Sequence, residues 1–295
     1  MAQDFERIYS SIENYGIVPE IRTDGAEPAF VAQALYSAGL GVAGIIFETD
    51  KTQEAAKAAG KISAALPEML LVAGNVASID QAKAAADSGA VAAVVSAGCN
   101  EDVASFCAES GMPPIIGCGF DEIEALCARD AKFIVPAKAD EKNIPEYLSH
   151  GSVIACSADF GLRGGSSHEG IKELAVRAVR QMLGFDLAHV VINCENSEQA
   201  ERDSGRVEAI FGLEKTDSGA TFSNADILHF TKQKSYGKNG QIAIRSNFID
   251  RAVFYLKRAG RQFIEESARF DAEGRLASIY LDNIIGGFAI KLVRK

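Results

Sequence analysis

The chain has 295 residues, 47% of them hydrophobic and 24% charged, with a formal net charge of −10. That length allows one large or two medium domains with a substantial core, and the acidic balance argues against nucleic acid or an anionic membrane as partner. No apolar run reaches the ~18 residues of a membrane span, and the amino terminus, carrying Asp4, Glu6, Arg7 and Glu13, lacks the apolar core of a signal peptide. The six cysteines (Cys99, Cys107, Cys118, Cys127, Cys156 and Cys194) show no Cys-x-x-Cys or zinc-ribbon spacing. Reduced thiols in a cytoplasmic protein are therefore expected.

From Gly16 to Cys156 short apolar strands alternate with alanine-rich helices. The pattern predicts strands at Ile17–Ile21, Gly41–Phe47, Leu70–Ala73, Ala90–Ser96, Pro114–Gly117, Lys132–Val135 and Ser152–Cys156. Helices are predicted between them at Ala29–Ala38, Thr52–Ala65, Ile79–Ser88, Asn100–Ser110 and Phe120–Ala128. Continuous apolar strands separated by helices of about ten residues indicate parallel βα units. Such a repeat, with right-handed crossovers, makes a doubly wound sheet or a closed barrel.

A helix over His168–Met182 stops at Leu183-Gly184, glycine being the usual residue just past a helix end. Beyond it strands predominate: His189–Cys194, then a helix at Ser197–Phe211, then strands near Leu213–Thr216, Ala220–Phe222 and Ile227–Thr231. The order then starts again with Gln241–Arg245, a helix at Phe248–Ala259 and strands near Gln262–Ser267, Leu276–Leu281 and Gly287–Val293. Two βαβββ units in tandem form an internal repeat, hinged at Tyr236-Gly237-Lys238-Asn239-Gly240. The predicted domains are therefore 1–184 and 185–295.

Six motifs in order carry a resemblance in the first half. They are Gly16-Ile17-Val18-Pro19-Glu20-Ile21-Arg22, Val72-Ala73-Gly74-Asn75-Val76, Val95-Ser96-Ala97-Gly98-Cys99-Asn100, Ile116-Gly117-Cys118, Phe133-Ile134-Val135-Pro136-Ala137 and Val153-Ile154-Ala155-Cys156. The segment resembles the class I aldolases that cleave 2-keto-3-deoxy-6-phosphogluconate (KDPG) or 4-hydroxy-2-oxoglutarate (KHG) to pyruvate. The resemblance implies a (β/α)8, TIM-type barrel with its site at the carboxyl ends of the strands. It also implies a trimer, a small keto acid as ligand, and imine chemistry on a lysine without a cofactor in the barrel.

That chemistry needs a deprotonated lysine, a carboxylate to move protons, and donors for the substrate's terminal anion. Carried over residue by residue, most of these are missing. The family glutamate of the second strand is Gly44, and Glu48 stands where the family has an anion-binding arginine, there read as a solvated loop carboxylate. Phe133 occupies the family lysine position, three residues before Pro136. The adjacent Lys132 is the candidate catalytic residue, although neighbours on a strand point to opposite faces unless a bulge intervenes. Arg22, Asn75 and Ser96 are the candidate ligand-binding residues.

After Ala137 the polar run Lys138–Asn143 takes the place of about one βα unit, which predicts an incomplete barrel, open or rearranged. Asp159 replaces a hydroxyl of the family's phosphate loop. The glycine-rich turn Arg163-Gly164-Gly165 has an anion-binding reading and a plainer one as a linker.

The second half resembles the glyoxalase-type vicinal oxygen chelate fold, an α+β domain of two βαβββ modules. The match lies in Tyr236–Ile244, Glu265–Phe270 and Ile285–Ile290. The resemblance implies metal ligands at His189, His229, Gln241 and Lys291. The first three can ligate a divalent metal, whereas a protonated Lys291 has no lone pair to give. The lysines Lys232, Lys234 and Lys238 read as a solvated turn.

Taken together, the expectation is a barrel that has lost its lyase machinery and serves as a ligand-binding or assembly scaffold, either as a homo-oligomer or with intact aldolase relatives. The alternatives are a carbon–carbon lyase that uses Lys132, or metal-dependent chemistry in the second domain.

Overall fold

The computed structural model describes residues 2–98, 101–126, 132–136, 141–160 and 167–295. The chain forms two compact units, Met1–Met182 and Leu183–Lys295. The first is built on seven parallel strands: β1 (Ile17–Ile21), β2 (Val42–Ile46), β3 (Leu70–Val76), β4 (Ala92–Ser96), β5 (Pro114–Gly117), β6 (Phe133–Pro136) and β7 (Val153–Ala158). They close into a barrel in sequence order.

The ring bears out the expected loss of about one βα unit, and of the two alternatives it is rearranged rather than open. β1 pairs with β7 through Ile17↔Cys156, Val18↔Ser157 and Pro19↔Ala158, so seven strands complete the ring. A narrow ring leaves little interior volume, and small inward residues accommodate it. A Cβ on Gly74 would lie 2.7 Å from Ile46 Cδ1, and one on Gly117 would lie 2.8 Å from Val94 Cγ1. These glycines make room for branched side chains on the neighbouring strands.

Helices α1 (Ala2–Tyr15), α2 (Pro28–Ser37), α3 (Thr52–Ala65), α4 (Ile79–Asp87) and α5 (Glu101–Glu109) accompany the barrel. Caps define several of their ends. The Glu27 carboxylate accepts from the Phe30 amide ahead of α2, and Ser78 Oγ accepts from the Gln81 amide at the start of α4. Helix α1 is absent from the sequence reading. It buries Ile12 and Tyr15, and the Tyr9 hydroxyl donates to the Pro114 carbonyl at 3.0 Å.

The expected helix at Phe120–Ala128 is, among the described residues, a 3-10 turn (Phe120–Glu122) followed by α6 (Ile123–Leu126). There the Glu122 carboxylate accepts from the Gly119 amide at 2.6 Å, a local bond that competes with a longer helix. Helix α7 (Ile144–Tyr147) precedes β7. Cys107, Cys118, Cys156 and Cys194, the four described cysteines, are buried thiols outside any disulfide among the described residues. The turn Arg163–Gly165 lies outside the described residues.

Helix α8 (His168–Leu183) ends at Gly184, whose φ of 55° is left-handed and whose Cα faces Asn247 too closely for any side chain. The second unit repeats one module twice. The first copy is β8 (Asp186–Asn193), α9 (Ser197–Phe211), β9 (Lys215–Asp217), β10 (Thr221–Asn224) and β11 (Leu228–Thr231). The second is β12 (Gly240–Ser246), α10 (Ile249–Arg258), β13 (Phe263–Phe270), β14 (Leu276–Ile285) and β15 (Phe288–Arg294).

Their strands make one sheet, ordered β13-β14-β15-β12-β8-β11-β10-β9. In each copy the first strand runs parallel to the last, β8 to β11 and β12 to β15, and β8 meets β12 antiparallel. One face packs on α9 through Ile192, Phe222, Leu228 and Phe230, against Ala200 and Val207. A buried bridge reinforces this contact: Ser204 Oγ donates to Asn224 Oδ1 at 2.7 Å, and Asn224 Nδ2 donates to the carbonyls of Ser204 and Leu213. Because side chains alternate along a strand, the residues between these belong to the opposite face, away from α9. No helix among the described residues is long and apolar enough to cross a membrane.

Candidate functional site

The carboxyl ends of the barrel strands surround a cavity of about 340 Å³. Its apolar wall comes from Val18, Ile46, Val72, Val94 and Ile134, and its polar groups are Glu20, Asn75, Ser96, Glu122 and Ser157. Among the described residues no lysine, arginine or histidine lines it. Two carboxylates and three neutral groups give acceptors and weak donors, but no fixed positive charge for a phosphate or a keto acid.

From β6 the side chain at the cavity is Ile134, not Phe133. Phe133 is fully buried outside the lining, which corrects the expectation that its ring fills the old lysine place. The pairing of β6 with β7 shifts register between Phe133 and Ile134, the extra residue, Ile154, being on β7. Lys132 also lies away from the cavity. It precedes β6, and its carbonyl accepts from the Ile116 amide at 2.9 Å. Pro136 pairs with cavity-lining Ser157 at the other end of that strand, about 13 Å away along four residues.

Of the expected ligand-binding residues, Asn75 and Ser96 line the cavity. Asn75 has φ of 59° at the irregularity in the β3–β4 ladder, a left-handed conformation that asparagine tolerates better than most residues. Arg22 is not at the cavity. Its Nη2 meets Glu48 Oε1 at 2.5 Å and its Nε meets Asp24 Oδ1 at 3.1 Å, while Lys51 reaches Glu48 at 3.0 Å and Asp24 at 3.6 Å. Glu48 is thus held between two cations rather than free in a solvated loop. The hydrogen bond from Arg22 lowers the Asp24 carboxyl below its usual range, and the bond to Glu48 raises Lys51.

Sequence reasoning missed Glu20, Glu122 and Ser157 as cavity residues, and Glu20 stands out among them. It lines the cavity, and its Cα partner on β2 is Gly44, the position left empty by the missing family glutamate. Its alternation with buried Ile21 was the available signal. A Cβ on Gly44 would make its closest contact at 3.4 Å, with Val18 Cγ1, so that position can take a side chain.

In the second unit the expected metal residues share the sheet face away from α9. Tyr280, Lys291, Ala243 and His189 form one cross-strand row, and Ala289, Gln241, Val191, His229 and Ser223 form the next. The His189 and His229 rings lie 4.6 Å apart. The Gln241 carbonyl accepts from the Tyr280 hydroxyl, and its amide donates to Ser235 Oγ. No group of three or more His, Cys, Asp or Glu suited to a metal occurs among the described residues.

Two imidazoles, a committed amide and an ammonium do not fit a divalent cation. Burial, then His229 and Lys291, bring the His189 imidazole down to about 4, and burial lowers the Lys291 ammonium. Burial also pushes Tyr280 up to about 12.

The first unit has a counterpart among known families. Residues 8–128 match the family model for KDPG and KHG aldolases. The match ends before β6, the strand where that chemistry would place its lysine. The KDPG aldolase of Zymomonas mobilis ZM4, solved with 3-phosphoglycerate, superposes with a TM-score of 0.50 at 17% identity, over 58% of this chain and 95% of that one. At that identity the likeness shows a shared barrel fold.

The KDPG aldolase of Legionella pneumophila, solved with pyruvate captured as a covalent carbinolamine, gives 0.47 at 20% identity, over 58% and 97% of the two chains. No curated protein matches the chain.

Proposed function

We propose that the barrel is a relative of the KDPG and KHG aldolases that binds a small polar molecule without forming an imine. The observation that carries this reading is the cavity lining: Glu20, Asn75, Ser96, Glu122 and Ser157 face a space where the relatives' chemistry requires an amine. An imine needs a lone pair on nitrogen within bonding reach of the ligand carbonyl, and Lys132 stands at the far end of its strand. The two carboxylates favour a neutral or cationic polar ligand over a phosphorylated acid.

In this reading the second unit is a glyoxalase-type module that has lost its metal set, and the protein is a cytoplasmic scaffold. It assembles with its own copies, as a trimer like the family, or with intact aldolase relatives.

Borohydride trapping with pyruvate tests the proposal, together with a retro-aldol assay on KDPG and on 4-hydroxy-2-oxoglutarate. The expected result is no reduced adduct and no pyruvate release. A pyruvate adduct mapped to Lys132 would establish the lyase reading instead and end the scaffold proposal.

A further inference from the structure

We propose that the face of the second unit's sheet bearing Lys291 binds a small planar carboxylate, Lys291 supplying the charge that a metal ion would otherwise bring. This goes beyond the barrel's proposed function and does not depend on it.

The Lys291 side chain is half-buried, yet it makes no hydrogen bond or ion pair with any described residue. Its Nζ lies 5.5 Å from the centre of the Tyr280 ring. The charged groups acting on it and on neighbouring His189 include Arg269 and Arg245, both cationic. Arg245 is neutralised by Asp186 at 2.8 Å, while Arg269 donates only to backbone carbonyls. Asp226 belongs to the far end of this face, where its carboxylate accepts from Ser223 and its carbonyl faces His229. A half-buried ammonium without a counterion is disfavoured unless an anion arrives to pair with it.

Shape narrows the class. Tyr236 stacks on Tyr280 with centroids 4.4 Å apart and an interplanar angle of 28°, and Tyr236 is 44% exposed. The Tyr280 hydroxyl is fixed by Gln241, so the stack is a preorganised flat wall beside the ammonium. A flat conjugated carboxylate fits both: its oxygens accept from Lys291 Nζ, and its plane lies along the aromatic wall.

The test is calorimetric titration of the full chain with benzoate, with inorganic phosphate and Ni²⁺ as competing probes. Benzoate is expected to bind with one site per chain, and Lys291→Gln to weaken it by ~10-fold or more, the worth of a charged hydrogen bond. Tyr236→Leu, a change at an exposed residue that leaves the fold intact, should also weaken benzoate. Lys291→Arg should retain binding, and Lys57→Gln, at an exposed position of the first unit, should match the parent. The proposal is overturned if benzoate does not bind, if it binds Lys291→Gln as tightly, or if phosphate binds more tightly than benzoate. It is equally overturned by stoichiometric Ni²⁺ binding that His189→Ala abolishes.

Discussion

A lysine placed at each of two adjacent positions on β6 should behave in opposite ways. Ile134 lines the cavity and is 3% exposed, whereas Phe133 is fully buried outside it. Phe133→Lys removes a packed aromatic ring, at about 3–5 kcal/mol, and strands an ammonium without a partner, at several more. The sum rivals the ~5–15 kcal/mol stability of a whole domain, so this variant should fail to fold or should melt far below the parent.

Ile134→Lys loses about 2 kcal/mol of apolar burial. Its stem still covers part of that wall, and its ammonium enters a cavity that holds Glu20 and Glu122. It should fold, with Tm lowered by only several degrees. Borohydride reduction with pyruvate, followed by peptide mapping, should place an adduct on residue 134. Adding Gly44→Glu, which the 3.4 Å clearance to Val18 permits, supplies a carboxylate for proton transfer and should raise pyruvate release. An adduct on residue 133 of a well-folded Phe133→Lys protein, with none at residue 134 of the Ile134→Lys protein, would refute the assignment of Ile134 to the cavity.

Three further outcomes concern the second unit. Gly240 has φ of 130°, and a Cβ there would sit 1.8 Å from the Val191 carbonyl oxygen, so Gly240→Ala should cost ~3 kcal/mol or more in urea denaturation; a loss below about 1 kcal/mol would contradict that crowding. Asn224→Ala strips Ser204 and Leu213 of their buried partner and should cost about 2–4 kcal/mol, read as a fall in Tm on the order of 10 °C. His189 carries the pH dependence. Its folded value of about 4 lies below its ordinary 6.5, so below pH 6.5 the unfolded chain binds a proton that the folded chain refuses, and stability falls as pH drops from 6.5 towards 4. Allowing for solvent screening, the loss should be about 1–2 kcal/mol. His189→Asn should flatten it in denaturation curves followed by tyrosine fluorescence, the chain having no tryptophan.

The strand order of both units was legible because alternation and glycine punctuation are local signals. Ile17–Ile21, Pro114–Gly117, Thr52–Ala65 and Ser197–Phe211 occur with the predicted ends. What was not legible depends on pairing. Whether seven strands close is decided by the meeting of β1 with β7, more than a hundred residues apart in the chain. Which residue of β6 faces the cavity depends on how that strand sits in the closed ring, and its own apolar run does not show this.

Asn75 and Ser96 were found because they lie in the motifs that carry the family resemblance. Glu20 was overlooked, although it also lies near a strand's carboxyl end, because attention fell on the family's second-strand carboxylate. Arg22 was read as a ligand-binding residue, since its ion pair with Glu48 forms only when β1 and β2 lie side by side.

The antiparallel seam between β8 and β12 is the only ladder that unites the two copies of the βαβββ motif. Cutting the polypeptide between Thr231 and Gly240 would leave each half with one long naked edge whose natural mate is an edge of the same kind. Such an isolated half should pair with its own twin, rebuilding an eight-stranded sheet as a homodimer.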